Sequence, residues 1–462
     1  MGCFMKTAHL SIYYQSLFTH KLGEFLDVTV QVKDNPYGLS AESLYEMAAR
    51  INKKRSFLFV SKVLGKHIPL NPHLPLIVSS LLATMFYEDQ QQTSIEEKEV
   101  LIQAVKNSTT ENVAAACSML KQINYSLNEP TLFIGFAETA TALGHAVFDC
   151  FSEASYIHST REMIANKEVT LNFEEEHSHA TAQRCYASEE YLANNRPICL
   201  VDDEITTGKT ALNIIASIQK KYPRKEYNIL SILDWRTEED RLRFQQFEEQ
   251  WGIQIICYSL LSGTIQVQGA AYLPEETEAL DDSYSELPDY HCLSLRSFQS
   301  SIPLLSYSSV DSCGIHNDSP YFSLTGRFGL TADHRQDLSV YCQQVGDYVR
   351  SFRKGTNTLC LGTGEFMYIP MKVATHMGEG VVYHSTTRSP ILPINEEGYP
   401  IKNALAFQSP DDPTVINYAY NVLAQHYDEV FLFFERTMEE ARLLPLLRQF
   451  SHISTIHIVY FT

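Results

Sequence analysis

The sequence predicts an α/β protein, with a mostly parallel sheet, flanking helices and a lid, followed by a second, smaller α/β domain. Short apolar runs such as Leu132-Phe133-Ile134 and Ile198-Cys199-Leu200-Val201 have the length of buried strands, and the second is followed by Leu212, Ile215 and Ile218 at helical spacing. At 462 residues the chain is too long for one typical core. An acidic, serine-rich stretch of little periodicity divides it, so the expected organisation is 1–270, a linker at 271–318, and 319–462.

Composition narrows the function classes. A formal charge of −19 argues against sequence-independent binding to nucleic acid, whose phosphates need a basic face. The ten cysteines are scattered without a Cys-x-x-Cys pair, and the N-terminus lacks the apolar core of a signal peptide, which predicts a reduced, cytoplasmic setting. No run approaches membrane-spanning length. Met1-Gly2-Cys3 opens like an acylation site, but Lys6 stands where Ser or Thr is required.

Taken in order, Leu26 to Lys33 alternates as a half-buried strand and ends in the turn Asp34-Asn35-Pro36-Tyr37-Gly38. A helical segment over Ser40 to Asn52 and a strand over Phe57 to Val60 follow. Ser61 to Pro69 gathers Lys62, Gly65, Lys66 and His67, as a substrate or anion contact or as a solvated loop. Leu74 to Ala115 has helical character. A strand at Thr131 to Ile134 then leads into Gly135-Phe136-Ala137-Glu138-Thr139, whose small residues suit close backbone approach, and into a helix over Ala142 to Phe151. Ser155 to Glu162 is strand-like and carries Arg161. Between Asn172 and Gln183 lie Glu174, Glu175, Glu176, His177 and His179, which could ligate a metal; a lid that closes over a reaction is the favoured role.

Ile198 to Thr210 is the centre of the chain. At the end of its strand Asp202 and Asp203 face opposite ways, where ligands of open α/β sheets bind. Thr206, Thr207, Gly208, Lys209 and Thr210 follow at a helix N-terminus, where free N–H groups favour phosphate. A Walker A loop is excluded because no glycine precedes Gly208-Lys209-Thr210 at the required spacing. Apolar strand, paired acids and Thr-Gly-Lys-Thr loop resemble the signature of the type I phosphoribosyltransferases. The resemblance implies that Asp202 and Asp203 hold ribose hydroxyls of 5-phosphoribosyl 1-pyrophosphate, directly or with Mg2+, and that Thr206 to Thr210 hold its 5′-phosphate. Gly135 to Thr139 would hold pyrophosphate, with Arg161 on the leaving group. Glu138 is unusual beside pyrophosphate and needs Mg2+ or a hydrogen-bonding role. Relatives of this kind are often dimers, so a homodimer is an expectation.

Strands follow at Tyr227 to Leu233, Ile253 to Tyr258 and Thr264 to Val267, with a helix over Glu238 to Trp251. Trp235, at a strand end, is a candidate to stack on the acceptor base or to cap the core. The second domain opens with Gly326-Arg327-Phe328-Gly329 and a helix near Leu338 to Phe352.

The second domain also looks like a degenerate repeat of the first. Thr131 to Glu138 aligns without a gap with Thr358-Leu359-Cys360-Leu361-Gly362-Thr363-Gly364-Glu365, and the same offset brings Thr160 and Arg161 onto Thr387 and Arg388. Val430 to Thr437 keeps a strand and one acid but no phosphate loop. Thr387-Arg388-Ser389-Pro390 resembles the tetrapeptide of the TRSP domain, found behind phosphoribosyltransferases encoded with tellurium-resistance and stress genes. That resemblance implies a cytoplasmic enzyme making a nucleoside-like metabolite from small-molecule substrates, with Mg2+ as cofactor and an unknown acceptor. A non-catalytic regulator that binds the same donor and acts on a partner protein is the alternative. Gly362, Gly364, Glu365, Thr387, Arg388 and Ser389 are expected to share a crevice in the second domain, or Arg388 to pair with Glu365 inside the fold.

Overall fold

The computed structural model describes residues 17–52, 55–174, 182–270, 287–298, 302–423 and 427–462. Met1-Gly2-Cys3, Lys6, Glu175, Glu176, His177 and His179 lie outside the described residues. Strands β1 (Thr131–Gly135), β2 (Ala154–His158), β3 (Ile198–Ile205), β4 (Glu226–Asp234) and β5 (Gln254–Gly269) run parallel in the order β5-β4-β3-β1-β2. Every residue of β1 and β2 is buried, which is why their apolar runs do not alternate. Leu17–Leu22 and Leu26–Asp34 extend this sheet antiparallel beyond β5, and Leu330–Thr331 closes its other edge on β2.

The chain passes from β1 to β2 on one side and returns to β3 on the other. Loops leaving the carboxyl ends of β1 and β3 therefore diverge and leave a crevice between them. β3 continues past its apolar run through Asp202, Asp203 and Glu204, because β4 stays paired with it as far as Asp234.

Several elements differ from expectation. Only Ala41–Leu44 of the predicted Ser40–Asn52 helix is helical; Tyr45–Ala49 is a strand paired antiparallel with Phe57–Ser61. Packing decides this, since Tyr45 meets Phe59 and Trp235 edge-on in the core, and tertiary contacts override helical spacing. The helical region after Leu74 is three helices, Leu74–Gln91, Lys98–Lys106 and Thr110–Leu120, the last capped by the Thr109 side chain. The two predicted strands after residue 252 are one, β5. Leu171–Glu174 and Ala182–Cys185 pair as the two arms of an antiparallel hairpin in the expected lid region.

The second half repeats the arrangement. β6 (Tyr290–Ser294), β7 (Thr358–Gly362), β8 (Val381–Ser385), β9 (Glu429–Phe434) and β10 (Ile456–Tyr460) form a parallel sheet ordered β6-β10-β9-β7-β8, matching β5-β4-β3-β1-β2 position for position. The edge strand β6 comes first in the chain and lies in the stretch expected to be linker. Ser308–Val310, also from that stretch, pairs with Met163–Ala165 of the first half. Residues 290–294 and 308–317 are thus built into the fold through short pairings too brief to show a period.

Packing follows the same offset of 227 residues, Thr131 to Thr358. A Cβ on Gly135 would stand 2.6 Å from the Tyr156 hydroxyl, and one on Gly362 would stand 2.8 Å from that of Tyr383, so both positions need glycine. Tyr156 donates to the Thr141 carbonyl at 2.7 Å, and Tyr383 to that of Met367 at 2.9 Å. Each half also lends the other an edge: Leu330 pairs with Tyr156, and Leu70 exchanges backbone bonds with Tyr383 at 3.1 and 2.8 Å. Among the described residues no helix is long and apolar enough to cross a membrane.

Candidate active site

A cavity of about 760 Å3 opens at the carboxyl ends of β1 and β3. Its walls take Phe136 to Thr139 from the loop after β1, Arg161 from the loop after β2, and Asp202 to Thr210 from β3 and its loop. The sequence-predicted groups of the first half thus share one cavity. Gly135 and Trp235 are exceptions among the described residues, Gly135 lying beneath the wall against Tyr156.

Gly208 begins the helix Lys209–Lys221 with φ +74°, and a Cβ there would lie 2.5 Å from Phe244, so only glycine fits. Thr207 Oγ1 accepts from the Lys209 amide at 3.3 Å, which draws the loop around the helix N-terminus. Beside it the Asp203 amide donates to Asp202 Oδ1 at 3.0 Å. Burial raises the Asp203 carboxyl above its ordinary range, though Asp202, Lys66 and Arg55 oppose the shift. Glu204 is raised by burial too and is held by Arg55 at 2.5 Å.

Glu138 is reconciled with an anion site by a residue from the loop Ser61 to Pro69. Buried Lys66 pairs with it at 2.8 Å and donates to the Thr386 carbonyl at 3.3 Å. Burial alone would raise the Glu138 carboxyl, but Lys66, Arg161 and Arg388 hold it down at about 2. That loop is therefore a buried wall of the cavity, with Lys66 and His67 lining it.

The second half completes the cavity. Thr387, Arg388, Ser389 and Pro390 line it, together with Thr414, Val415 and Ile416. Thr387 Oγ1 donates to Glu138 Oε2 at 3.2 Å. This segment is clamped on both sides: Ile51 N donates to Pro390 O at 3.0 Å and Leu392 N to Ala49 O at 2.9 Å, while Thr387 and Tyr418 exchange bonds of 3.0 and 2.7 Å.

Two expectations are thereby corrected. Arg388 faces the first-half cavity rather than a crevice shared with Gly362 and Gly364, because the segment after β8 crosses to the hairpin of the first half, where Ile391 bridges Arg50. Glu365 turns the other way, accepting from Thr160 Oγ1 at 2.6 Å and the Arg161 amide at 2.8 Å; its ion-pair contact is Arg327 at 3.8 Å, not Arg388. Trp235 is buried and absent from the cavity wall, stacked at 4.8 Å on Phe59, whose ring does line it. Arg50, Arg55 and Phe59 were not singled out from sequence; they lie on the Tyr45–Ser61 hairpin, of which the second strand was expected and the first, with Arg50 at its end, was read as helix.

A phosphoribosyl transferase family model matches residues 44–264, and the TRSP domain found C-terminal to it matches 324–450. The chain belongs to the TRSP-bearing phosphoribosyltransferases. It is an enzyme of phosphoribosyl transfer, and its two matched segments are the two halves that meet at the cavity. No curated protein matches the sequence. Among solved structures, adenine phosphoribosyltransferase from Trypanosoma brucei, in complex with AMP, pyrophosphate and ribose-5-phosphate, is 13% identical with a TM-score of 0.30, covering 50% of this chain and 82% of that one. The adenine enzyme of Leishmania tarentolae is 15% identical (TM-score 0.23; 35% and 74% covered), and the hypoxanthine enzyme of Staphylococcus aureus 10% (0.19; 38% and 70%). Likenesses this low carry no weight for the site, and the family models stand without them.

Proposed function

We propose that this phosphoribosyltransferase transfers the phosphoribosyl group of 5-phosphoribosyl 1-pyrophosphate to a ring nitrogen of a small heterocycle and releases pyrophosphate. The observation that carries the proposal is the single cavity in which Asp202 and Asp203 lie between the Thr206–Thr210 loop and the Glu138 loop with Arg161 and Arg388. One wall thus offers acceptors for hydroxyls, and the walls flanking it offer donors for phosphates.

In the transfer, the acceptor nitrogen's lone pair forms the new bond to C1 of the ribose. The C1–O bond breaks with its electron pair leaving on pyrophosphate, and any proton on that nitrogen passes to water or to the departing group. Asp202 and Asp203 hold the ribose hydroxyls while positive charge develops on the ring. Arg161, Arg388 and the loop amides hold the leaving group, and Lys66 keeps Glu138 from repelling it. Catalysis is then positioning and electrostatics. The product is a nucleoside 5′-monophosphate analogue, consistent with a role in making a nucleoside-like stress metabolite.

The described residues contain no group of three or more His, Cys, Asp or Glu side chains placed to hold a metal ion. Two adjacent cavity acids fit an ion that takes most of its oxygens from ligand and water, so Asp202 and Asp203 would hold Mg2+ through the donor. Bound there, it supplies charge neutralisation for the pyrophosphate. The test is calorimetric titration of the donor with Mg2+ into wild type, the Asp202→Asn/Asp203→Asn double variant and Arg388→Ala. Affinity is expected to drop about tenfold or more in each, a loss of roughly 1.4 kcal/mol. Wild-type affinity in the double variant would overturn the assignment.

A further inference from the structure

Among the parts of the cavity wall that donor binding leaves unassigned is the Tyr45–Ser61 hairpin, which contributes Arg50, Arg55, Leu58 and Phe59. Arg55 is neutralised there by Glu204 at 2.5 Å. Arg50 is not: among the described residues its guanidinium has no ion pair and no hydrogen bond, and its Nε is buried without a partner. Burial, with Arg55 and Arg161 near it, lowers the guanidinium from its ordinary value although Glu204 opposes this. A partly buried cation with a buried, unmade hydrogen bond is costly unless a ligand completes it.

The backbone holds Arg50 firmly. Its amide donates to Ser56 O at 2.8 Å, the next amide donates to Pro390 O at 3.0 Å, and Arg50 bridges Ile391 of the second half. Pinning from two sides presents the side chain to the cavity in a set place, as recognition of a planar anion requires. Beside it, Leu58, Phe59 and Ile229 give the wall an apolar surface suited to a flat ring.

We propose that Arg50 recognises the acceptor, and that the acceptor is a planar nitrogen heterocycle bearing a carboxylate. The proposal rests on the donor reading above, since it takes the phosphates to be held by the other walls. The second half then has two tasks at the site: Arg388 serves the donor, while Pro390 to Leu392 hold Arg50 in place for the acceptor.

The experiment titrates matched carboxylate and neutral pairs, nicotinate against nicotinamide and orotate against uracil, into the full chain with 5-phosphoribosyl 1-pyrophosphate and Mg2+ present, following both binding and pyrophosphate release. At least one carboxylate is expected to bind about tenfold or more tightly than its neutral partner. Arg50→Gln should erase that preference while changing donor affinity by less than about threefold, and Arg50→Lys should keep part of it. Melting curves of both variants establish that they are folded. Equal binding within both pairs, no binding of either carboxylate, a preference that survives Arg50→Gln, or a large loss of donor affinity in that variant would each overturn the proposal. Failure of wild type to bind the donor would remove the donor reading and this one with it, whereas intact donor binding without a carboxylate preference removes this one alone.

Discussion

Glu138 and Glu365 occupy equivalent turns of the two halves, and each takes a hydroxyl hydrogen bond from the other half, from Thr387 at 3.2 Å and Thr160 at 2.6 Å. Since Thr160 and Thr387 are also equivalent, the exchange is reciprocal. Around this shared frame the halves have diverged. The pocket at Glu138 is a cavity of about 760 Å3, while that at Glu365 is about 20 Å3. Strand registers show why. Val201 pairs with Gly135 as Phe433 pairs with Gly362, so Phe434 and Glu435 stand where Asp202 and Asp203 stand in the first half. One acid has become an apolar core residue, the phosphate loop is gone, and Arg327 fills the remaining space, meeting Glu435 at 2.7 Å and Glu162 at 3.3 Å. The same scaffold thus holds a ligand site in one half and a protein-filled charge cluster in the other.

The strongest way to break this comparison is to remove the plug. Arg327→Met leaves Glu435 and Glu365 with much of their compensation gone, while Glu162 keeps Arg436 at 3.7 Å, and stability should fall by roughly 3–5 kcal/mol in urea unfolding. Donor affinity of the folded fraction should stay close to wild type, because Arg327 does not line the first cavity. Wild-type stability in this variant would mean that the acids simply protonate and that charge does not hold the second pocket.

Acid titration separates Glu138 from Glu435 by sign. Glu138 is held at about 2, below its ordinary 4.5, so its contribution is present above the ordinary carboxylate range and is lost as pH falls through about 2. On the scale of one unit per 1.36 kcal/mol that is about 3 kcal/mol. Burial raises Glu435, despite Arg327, so its penalty is relieved rather than incurred as pH falls. Glu138→Gln should therefore flatten the acid limb of stability against pH, whereas Glu435→Gln should not. Equal flattening by both would show that the two pockets are electrostatically alike.

What could be read from sequence divides along the same line. The apolar strands, the Asp202–Thr210 loop and the offset from Thr131 to Thr358 are local patterns, and they stand in the fold as expected. Arg388 and Lys66 drew notice too, but their destination did not follow, since both act on Glu138 across long separations in sequence. Arg50 was invisible because Tyr45–Ala49 carries helical spacing and becomes a strand only through contact with Phe59 and Trp235. Trp235 ends a strand at the site edge, where the sequence allowed either stacking on an acceptor or capping the core; it caps the core, its ring the floor under Phe59. Pairing between distant segments, not local pattern, decided each of these.

The smallest effect tests the reciprocal hydroxyls themselves. Thr387→Val removes one donor from Glu138, which keeps Lys66 at 2.8 Å, so the loss should lie near the neutral-bond scale of about 1 kcal/mol. Thr160→Val removes the shorter bond from Glu365, which keeps the Arg161 amide at 2.8 Å but has its guanidinium only at 3.8 Å. With weaker compensation its cost should approach that of a bond to a charged group, about 2 kcal/mol. Urea unfolding of the two single variants measures the difference, and the double variant should depart from additivity because Arg161 and Thr141 each touch both acidic turns. A larger loss for Thr387→Val would reverse the assignment, making the open pocket the fastener between the halves and the plugged one incidental.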